Sequence, residues 1–349
     1  MSQNAVGLDI GTTAVRAAEL SLHRGRITLE RFGQLALPVG AVVDGEVADP
    51  DTVAAAVKRL WRQARFGSKR VIMGVANQRV VVRMVDLPWM ELDELRRSLH
   101  FQVQEYIPIP VDDAELDVNV LGEHEGGGGQ RFMRVLLVAA QKEMVAGHVR
   151  VATTAGLQPV GVDLTPFALL RSLVPEGSAV LAETGEALVD VGARVTNIVV
   201  HSGGSPRFVR IMLMGGQDVT DAIRQRLELD HEEAERTKLG VGAGGFGGPD
   251  VDRIIEQRTA AFVDEIRGSL DFYRAQPDAV PVDRVVVTGG GSRLQPLASR
   301  LQDAVRLPVE AGRALRSLRL GRLRLGAEQL AELEPVTAVP VGLALGGVG

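Results

Sequence analysis

The stretch VGLDIGTTAVRA, Val6 to Ala17, decides the fold when set beside ALVDVGARVTNI, Ala187 to Ile198. Each copy ends an apolar run in Asp-x-Gly and restarts as a strand. A buried strand at each place delivers one carboxylate, Asp9 or Asp190, to a tight turn whose glycine, Gly11 or Gly192, lets the backbone approach a ligand closely. Either turn alone is an ordinary hairpin closure. Together they predict two hairpins facing one another across a cleft. Between them a polyphosphate would be held by backbone N–H groups and the hydroxyls of Thr12, Thr13 and Thr196, with the two carboxylates organising a hydrated magnesium ion.

Working outward, a third glycine cluster, VVVTGGGSRL from Val285 to Leu294, follows a β-branched run and precedes a predicted helix, a pattern suited to close backbone approach to an adenosine. The segment Asp230 to Leu239 reads as a helix with Glu235 and Lys238 on one face. That pair is a surface ion pair or, in the company of the glycine clusters, a grip on ribose hydroxyls.

With 349 residues the chain has length for two core-forming lobes, and 45% hydrophobic with 24% charged residues is a globular composition. A net charge of -5 gives no footprint for nucleic acid, which requires a clustered basic surface. There is no cysteine, so disulfides, thiolate metal sites and cysteine nucleophiles are excluded together. No apolar run approaches the roughly 18 residues that span a bilayer, and the N-terminus leads directly into a core strand, so a cytoplasmic protein is expected.

The first lobe opens with strands over Val6 to Ile10, Ala14 to Leu20 and Ile27 to Leu37, then a helix from Asp51 to Ala64 started by Pro50 and Asp51. A self-contained α+β unit follows the strand at Val71 to Val75. It comprises a strand at Val80 to Leu87, a helix from Glu91 to Tyr106, strands at Glu115 to Leu121 and Phe132 to Ala139, and a helix from Lys142 to Ala155. Gly126 to Gly129 lies between two of its strands and reads as a hairpin loop, since a phosphate loop requires a following helix. The helix ends in Tyr106-Ile107-Pro108-Ile109-Pro110, whose prolines force an extended exit. That exit is either a core helix stopped by proline or a groove wall presenting Tyr106, Ile107 and Ile109 to a partner peptide. Val241 to Pro249, rich in glycine, reads as a mobile loop. Val339 to Leu345 is expected to be a short apolar helix packed into the second lobe.

The order of these motifs resembles the actin, heat-shock chaperone and sugar-kinase superfamily. Within it, VGLDIGTTAVRAAEL, DLPWMELDELRRSLHFQVQEYIPIP from Asp86, DVGARVTNIVV and the closing VGLALGG resemble the PilM family of the type IV pilus inner-membrane platform. The resemblance implies an α/β chain with an actin-like ATPase fold, two duplicated ribonuclease H-like lobes around a nucleotide cleft. The first lobe would be residues 1–79 and 157–185, an inserted α+β subdomain 80–156, and the second lobe 186–349. ATP and Mg2+ are the implied ligands. Asp9, Gly11, Thr12 and Thr13 would form the first phosphate site, and Asp190, Gly192 and Thr196 the second, with Asp9 and Asp190 toward the metal. Glu235 and Lys238 would meet ribose or adenine, and Gly289, Gly290, Gly291 and Ser292 would form the adenosine turn. Asp163 and Thr165 are the candidates for positioning an attacking water, and slow or absent hydrolysis is expected.

The resemblance further implies a partner: the N-terminal cytoplasmic tail of PilN, a single-span membrane protein, held in the groove between the inserted module and the first lobe. The protein would then be a nucleotide-loaded adaptor at the inner face of the cytoplasmic membrane. Two rivals use the same clamp. A cell-division filament or membrane-tethering protein of the FtsA type would bring a basic amphipathic C-terminal helix, but Pro335 to Gly349 contains no basic residue. A small-molecule kinase would require an acceptor pocket with a general base. One stretch stays open: arginines 313, 316, 319, 322 and 324 alternate with leucines 315, 318, 320, 323 and 325, as a solvated face over a leucine row or as a membrane or protein contact.

Overall fold

The computed structural model describes residues 3–174, 184–240, 248–321, 323 and 326–348. Most of the glycine-rich Val241 to Pro249 segment, and Arg322, Arg324 and Leu325, lie outside the described residues.

The first lobe begins with strands β1 (Gln3–Ile10), β2 (Ala14–His23) and β3 (Arg26–Ala36), a short ribbon of β4 (Val42–Val43) and β5 (Glu46–Val47), helix α1 (Pro50–Ala64) and strand β6 (Arg70–Val75). The inserted module supplies β7 (Val80–Pro88), α2 (Leu92–Gln102), β8 (Ala114–Glu125) and β9 (Arg131–Gln141). Then come α3 (Lys142–Thr154), β10 (Gln158–Leu164) and α4 (Thr165–Leu173). The second lobe contains β11 (Gly185–Val191), β12 (Thr196–Ser202), β13 (Ser205–Met212), α5 (Gly216–Leu227), α6 (His231–Gly240), α7 (Gly248–Arg274), β14 (Val282–Thr288), α8 (Leu297–Val305) and β15 (Val309–Ala311). The chain closes with β16 (Arg319–Leu320), α9 (Ala327–Leu333) and α10 (Ala338–Leu345).

The two large sheets repeat one plan. The order β3-β2-β1-β6-β10 in the first lobe matches β13-β12-β11-β14-β15 in the second, with two antiparallel and two parallel pairings in corresponding places. In each, the strand ending in Asp-x-Gly is central and fully flanked, which is why β1 and β11 read as near-continuous apolar runs. Val6, Leu8 and Ile10 join Val53, Val57 and Leu60 of α1 in the first core; Ala187, Val189 and Val191 join Ile266, Leu270 and Tyr273 of α7 in the second.

The module is a three-stranded antiparallel sheet, β7-β9-β8, with its own core of Leu87, Leu95, Leu99, Val135 and Leu137. Gly126 to Gly129 makes the expected hairpin turn, with Gly128 and Gly129 at φ 81° and 76°. Helix α2 stops at Gln102 rather than Tyr106. Helix α3, expected to belong to this module, instead packs on α1, with Val151 and Ala152 buried in the first-lobe core. The module also reaches the second lobe: Arg134 of β9 is held 2.9 Å from Asp86 and 2.7 Å from Asp278 beyond α7.

Helix α10 corrects a second expectation. It packs against α4, β1, β2 and β6, so the last helix of the chain lies on the first-lobe sheet rather than within the second lobe. It is apolar on all sides because all sides are covered: Val341 and Ala344 face Ala18 and Leu20, whereas Val339 and Leu343 meet Leu169 and Leu188. Backbones touch at these crossings. A Cβ on Gly342 would sit 1.8 Å from the Ala168 carbonyl oxygen, and one on Gly7 would sit 2.1 Å from that of Pro340. Of the arginine–leucine stretch, Arg319 and Leu320 extend the first sheet beside Thr28 and Leu29, with Leu315, Leu318 and Leu323 packed beneath.

Candidate functional site

Between the lobes lies a cleft of about 1310 Å³, and its walls contain both Asp-x-Gly turns, the α6 face and the third glycine turn. The two hairpins are built alike. Gly11 N–H donates to the Ala14 carbonyl at 3.0 Å, and Gly192 N–H to the Val195 carbonyl at 3.0 Å. Each aspartate also faces a donor across its hairpin. Asp9 is in register with Arg16, whose Nη1 lies 3.4 Å from Oδ2, and Asp190 is in register with Asn197, whose Nδ2 donates to Oδ2 at 3.1 Å. The sequence reading missed both donors, although each stands seven positions after its aspartate.

The electrostatics of this pair favour a cation. Burial raises the Asp9 carboxyl above its ordinary range despite the nearby Arg16 guanidinium. Burial likewise pushes Asp190 up to about 6; the Asn197 hydrogen bond opposes the rise and the Asp9 charge adds to it. Two desolvated carboxylates with a single guanidinium, beside Asp9, form a site that a bound cation relaxes.

The cleft brings together Asp9, Gly11, Thr12, Thr13, Thr165, Asp190, Gly192, Glu235, Lys238 and Gly289 to Gly291. Glu235 and Lys238 are not a surface pair. Lys238 Nζ, on a side chain 11% exposed, donates to Glu235 at 2.7 Å, to the Thr220 hydroxyl at 2.9 Å and to the Gly216 carbonyl at 3.2 Å. At the glycine turn side chains are excluded by position: a Cβ on Gly289, at φ 86°, would lie 2.4 Å from the Val191 carbonyl oxygen and 2.6 Å from Asp190 Oδ1.

Three residues expected in the cleft lie outside it. Thr196 is fully buried and donates to the Met214 carbonyl at 2.8 Å, because strand alternation turns Asn197 rather than Thr196 to the cleft. Ser292 turns back to donate to the Gly289 carbonyl at 2.7 Å. Asp163 pairs with Arg171 and accepts from Leu164 N–H, leaving Thr165 at the wall. Ile107 is buried in the module core, with Tyr106 and Ile109 half-buried against it. A residue unforeseen in the sequence, His148 of α3, reaches the cleft wall. Burial lowers its pKa, and Nδ1 donates to the Met144 carbonyl at 3.0 Å, which leaves Nε2 as a lone-pair acceptor.

The family model for the type IV pilus assembly protein PilM matches residues 7–348. The chain belongs to the PilM family. A member of that family in a solved "PilM-PilN type IV pilus biogenesis complex" superposes with a TM-score of 0.88 at 31% identity, covering 99% of this chain and 98% of that one. The fold extends further. The ethanolamine utilization protein EutJ from Carboxydothermus hydrogenoformans has a TM-score of 0.58 at 15% identity, covering 98% of this chain and 89% of that one. MreB5 of Spiroplasma citri bound to ADP has 0.53 at 12%, covering 96% and 95%. These neighbours share the actin-like ATPase fold. The cell division protein FtsA of Bacillus subtilis is 23% identical over 72% of this chain, which spans 61% of that protein's length. FtsA of Escherichia coli K12 is 24% identical over 89% of this chain and 84% of its own.

Proposed function

We propose that the cleft binds ATP with Mg2+ and that the loaded protein is an adaptor of the type IV pilus machinery, taking the N-terminal cytoplasmic tail of a PilN-like membrane protein. The observation that carries the nucleotide reading is the matched pair of Asp-x-Gly hairpins, each with its cross-strand donor, opposed across one cleft. The residues fit magnesium. It binds through one or two carboxylates and completes its octahedron with phosphate oxygens and water, and no cluster of three or more acidic, His or Cys ligands occurs among the described residues. Asp9 and Asp190 would hold the ion, which when bound neutralises phosphoryl charge. Thr12 and Thr13 would face the phosphates together with Arg16, Lys238 and Glu235 the ribose, and Gly289 to Gly291 the adenosine. Thr165, at the start of α4, is the remaining candidate of its pair for holding a water, and slow or absent hydrolysis goes with the adaptor role.

Lys238→Ala should weaken ATP binding about tenfold, near 1.4 kcal/mol, because Glu235 and Thr220 lose the ammonium that fixes them. Calorimetric titration of ATP into wild type and variant measures it; unchanged affinity would remove α6 from the site.

The partner reading draws on the likeness to the PilM–PilN complex. We assign the module to residues 80–141, because α3 is buried with the first lobe. Membrane association would come through the partner: among the described residues no helix is long and apolar enough to cross a membrane. Titration of the N-terminal peptide of the cognate PilN into ATP-loaded protein should give saturable one-to-one binding. Absence of binding to folded, loaded protein sinks the adaptor reading. Tyr106→Ala and Ile109→Ala should weaken the peptide while sparing ATP. Ile107→Ala should instead destabilise the module by about 2–5 kcal/mol, the usual cost of truncating a buried isoleucine, as chemical denaturation would read.

A further inference from the structure

A second cavity, of about 370 Å³, opens in the second lobe between α5, α7 and the turn that follows β14. Its volume falls in the range of small-molecule sites. Met214, Val219, Phe262 and Leu297 give it apolar walls, and it backs onto the main cleft through Arg194, Gly216, Asp221, Gly291 and Leu294, which line both cavities.

One polar group within it is unaccounted for. Thr259 of α7 is fully buried, lines this cavity, and its hydroxyl has no hydrogen-bond partner. Buried helical hydroxyls ordinarily bond to the carbonyl one turn back, as Ser269 of the same helix does to Glu265 at 2.7 Å. A fully buried hydroxyl left unpaired is costly and calls for a partner. The ionised groups lining the cavity are Arg194, Arg258, Asp218 and Asp221, two of each sign, with Arg194 already bridging both aspartates. The balance disfavours a charged occupant.

We propose that this cavity is a second ligand site, taking an uncharged, largely apolar molecule with one hydrogen-bonding group for Thr259, and that its occupancy is read by the main cleft through the wall they share, the Arg194–Asp221 pair with Gly216, Gly291 and Leu294. The coupling rests on the nucleotide reading of that cleft; the site itself does not.

The probe is 2-naphthol, titrated by calorimetry into nucleotide-free and into ATP-saturated protein. One saturable site is expected in both states, with affinities differing by at least about fivefold, the lower end of ordinary coupling between sites. Ala222→Trp, at the half-exposed rim and outside the main cleft, should abolish naphthol binding while leaving ATP binding detectable. Thr259→Val should weaken naphthol binding in a protein that still folds. Absence of saturable binding to nucleotide-free protein, or undiminished binding to Ala222→Trp, overturns the site. Equal affinities in the two nucleotide states overturn the coupling alone.

Discussion

Asp190→Asn should make the nucleotide-free protein more stable at pH 7.5 while abolishing the stabilisation that the proposed binding of ATP and magnesium would give. Burial holds this carboxyl at about 6 against 3.8 in the unfolded chain. The folded state therefore binds the extra proton, and the favourable contribution is complete below pH 3.8. It is lost as pH rises through about 6. At neutral pH the wild-type protein carries an ionised, desolvated carboxylate at a cost of about 3 kcal/mol, taking 1.36 kcal/mol per pH unit of displacement. The neutral amide escapes that cost. Thermal melts of both proteins from pH 4 to 8, with and without Mg-ATP, provide the check. The variant's advantage should appear above pH 6 and shrink toward pH 4. A variant less stable than wild type at every pH would show that Asp190 serves the fold rather than a cation. The result expected is a site held at the expense of stability, as at many functional centres.

Gly342→Ala should be among the most destabilising single-methyl additions available to this chain. The new Cβ would fall 1.8 Å from the Ala168 carbonyl oxygen, and that oxygen belongs to the backbone of α4, which cannot swing away as a side chain would. Relief requires α10 and α4 to separate, opening the contacts among Leu169, Leu188, Val339 and Leu343. Overpacking of this kind ordinarily costs about 1–3 kcal/mol, and the rigid neighbour places this case at or above the upper end. Urea denaturation measures it, and a loss below 0.5 kcal/mol, about the scale of a neutral surface change, would contradict the close crossing. Gly147→Ala, on α3 with open space around its would-be Cβ, is the control and should be silent or mildly stabilising.

How much of this was legible in the residues depended on the range of the interaction. Asp9, Asp190 and their glycines were readable because strand, carboxylate and turn are adjacent in sequence. Arg16 and Asn197 were encoded too, as a repeated spacing of seven. Finding them required treating the second arm of each hairpin as part of the motif. Thr196 was misplaced by one position, and in a strand one position is the difference between cleft and core. Tyr106 to Pro110 kept its two readings until packing put Ile107 inside. His148, the allegiance of α3 and the landing place of α10 were invisible to local pattern. An apolar helix announces that it will be covered, not by what.

That landing place bears on how the chain is made. Strand β1 precedes the module and the whole second lobe in chain order, yet α10, which covers it, follows them. Until α10 has been made, Ala5, Ala18 and Leu20, which it covers in the folded protein, would present a bare apolar face to solvent. Native contacts so distant in sequence form late, and the exposed surface is a hazard in the interval. Stalled or truncated nascent chains should therefore be the form of this protein most dependent on chaperones, and the second lobe, whose sheet is complete once β15 has been made, should mature before the first.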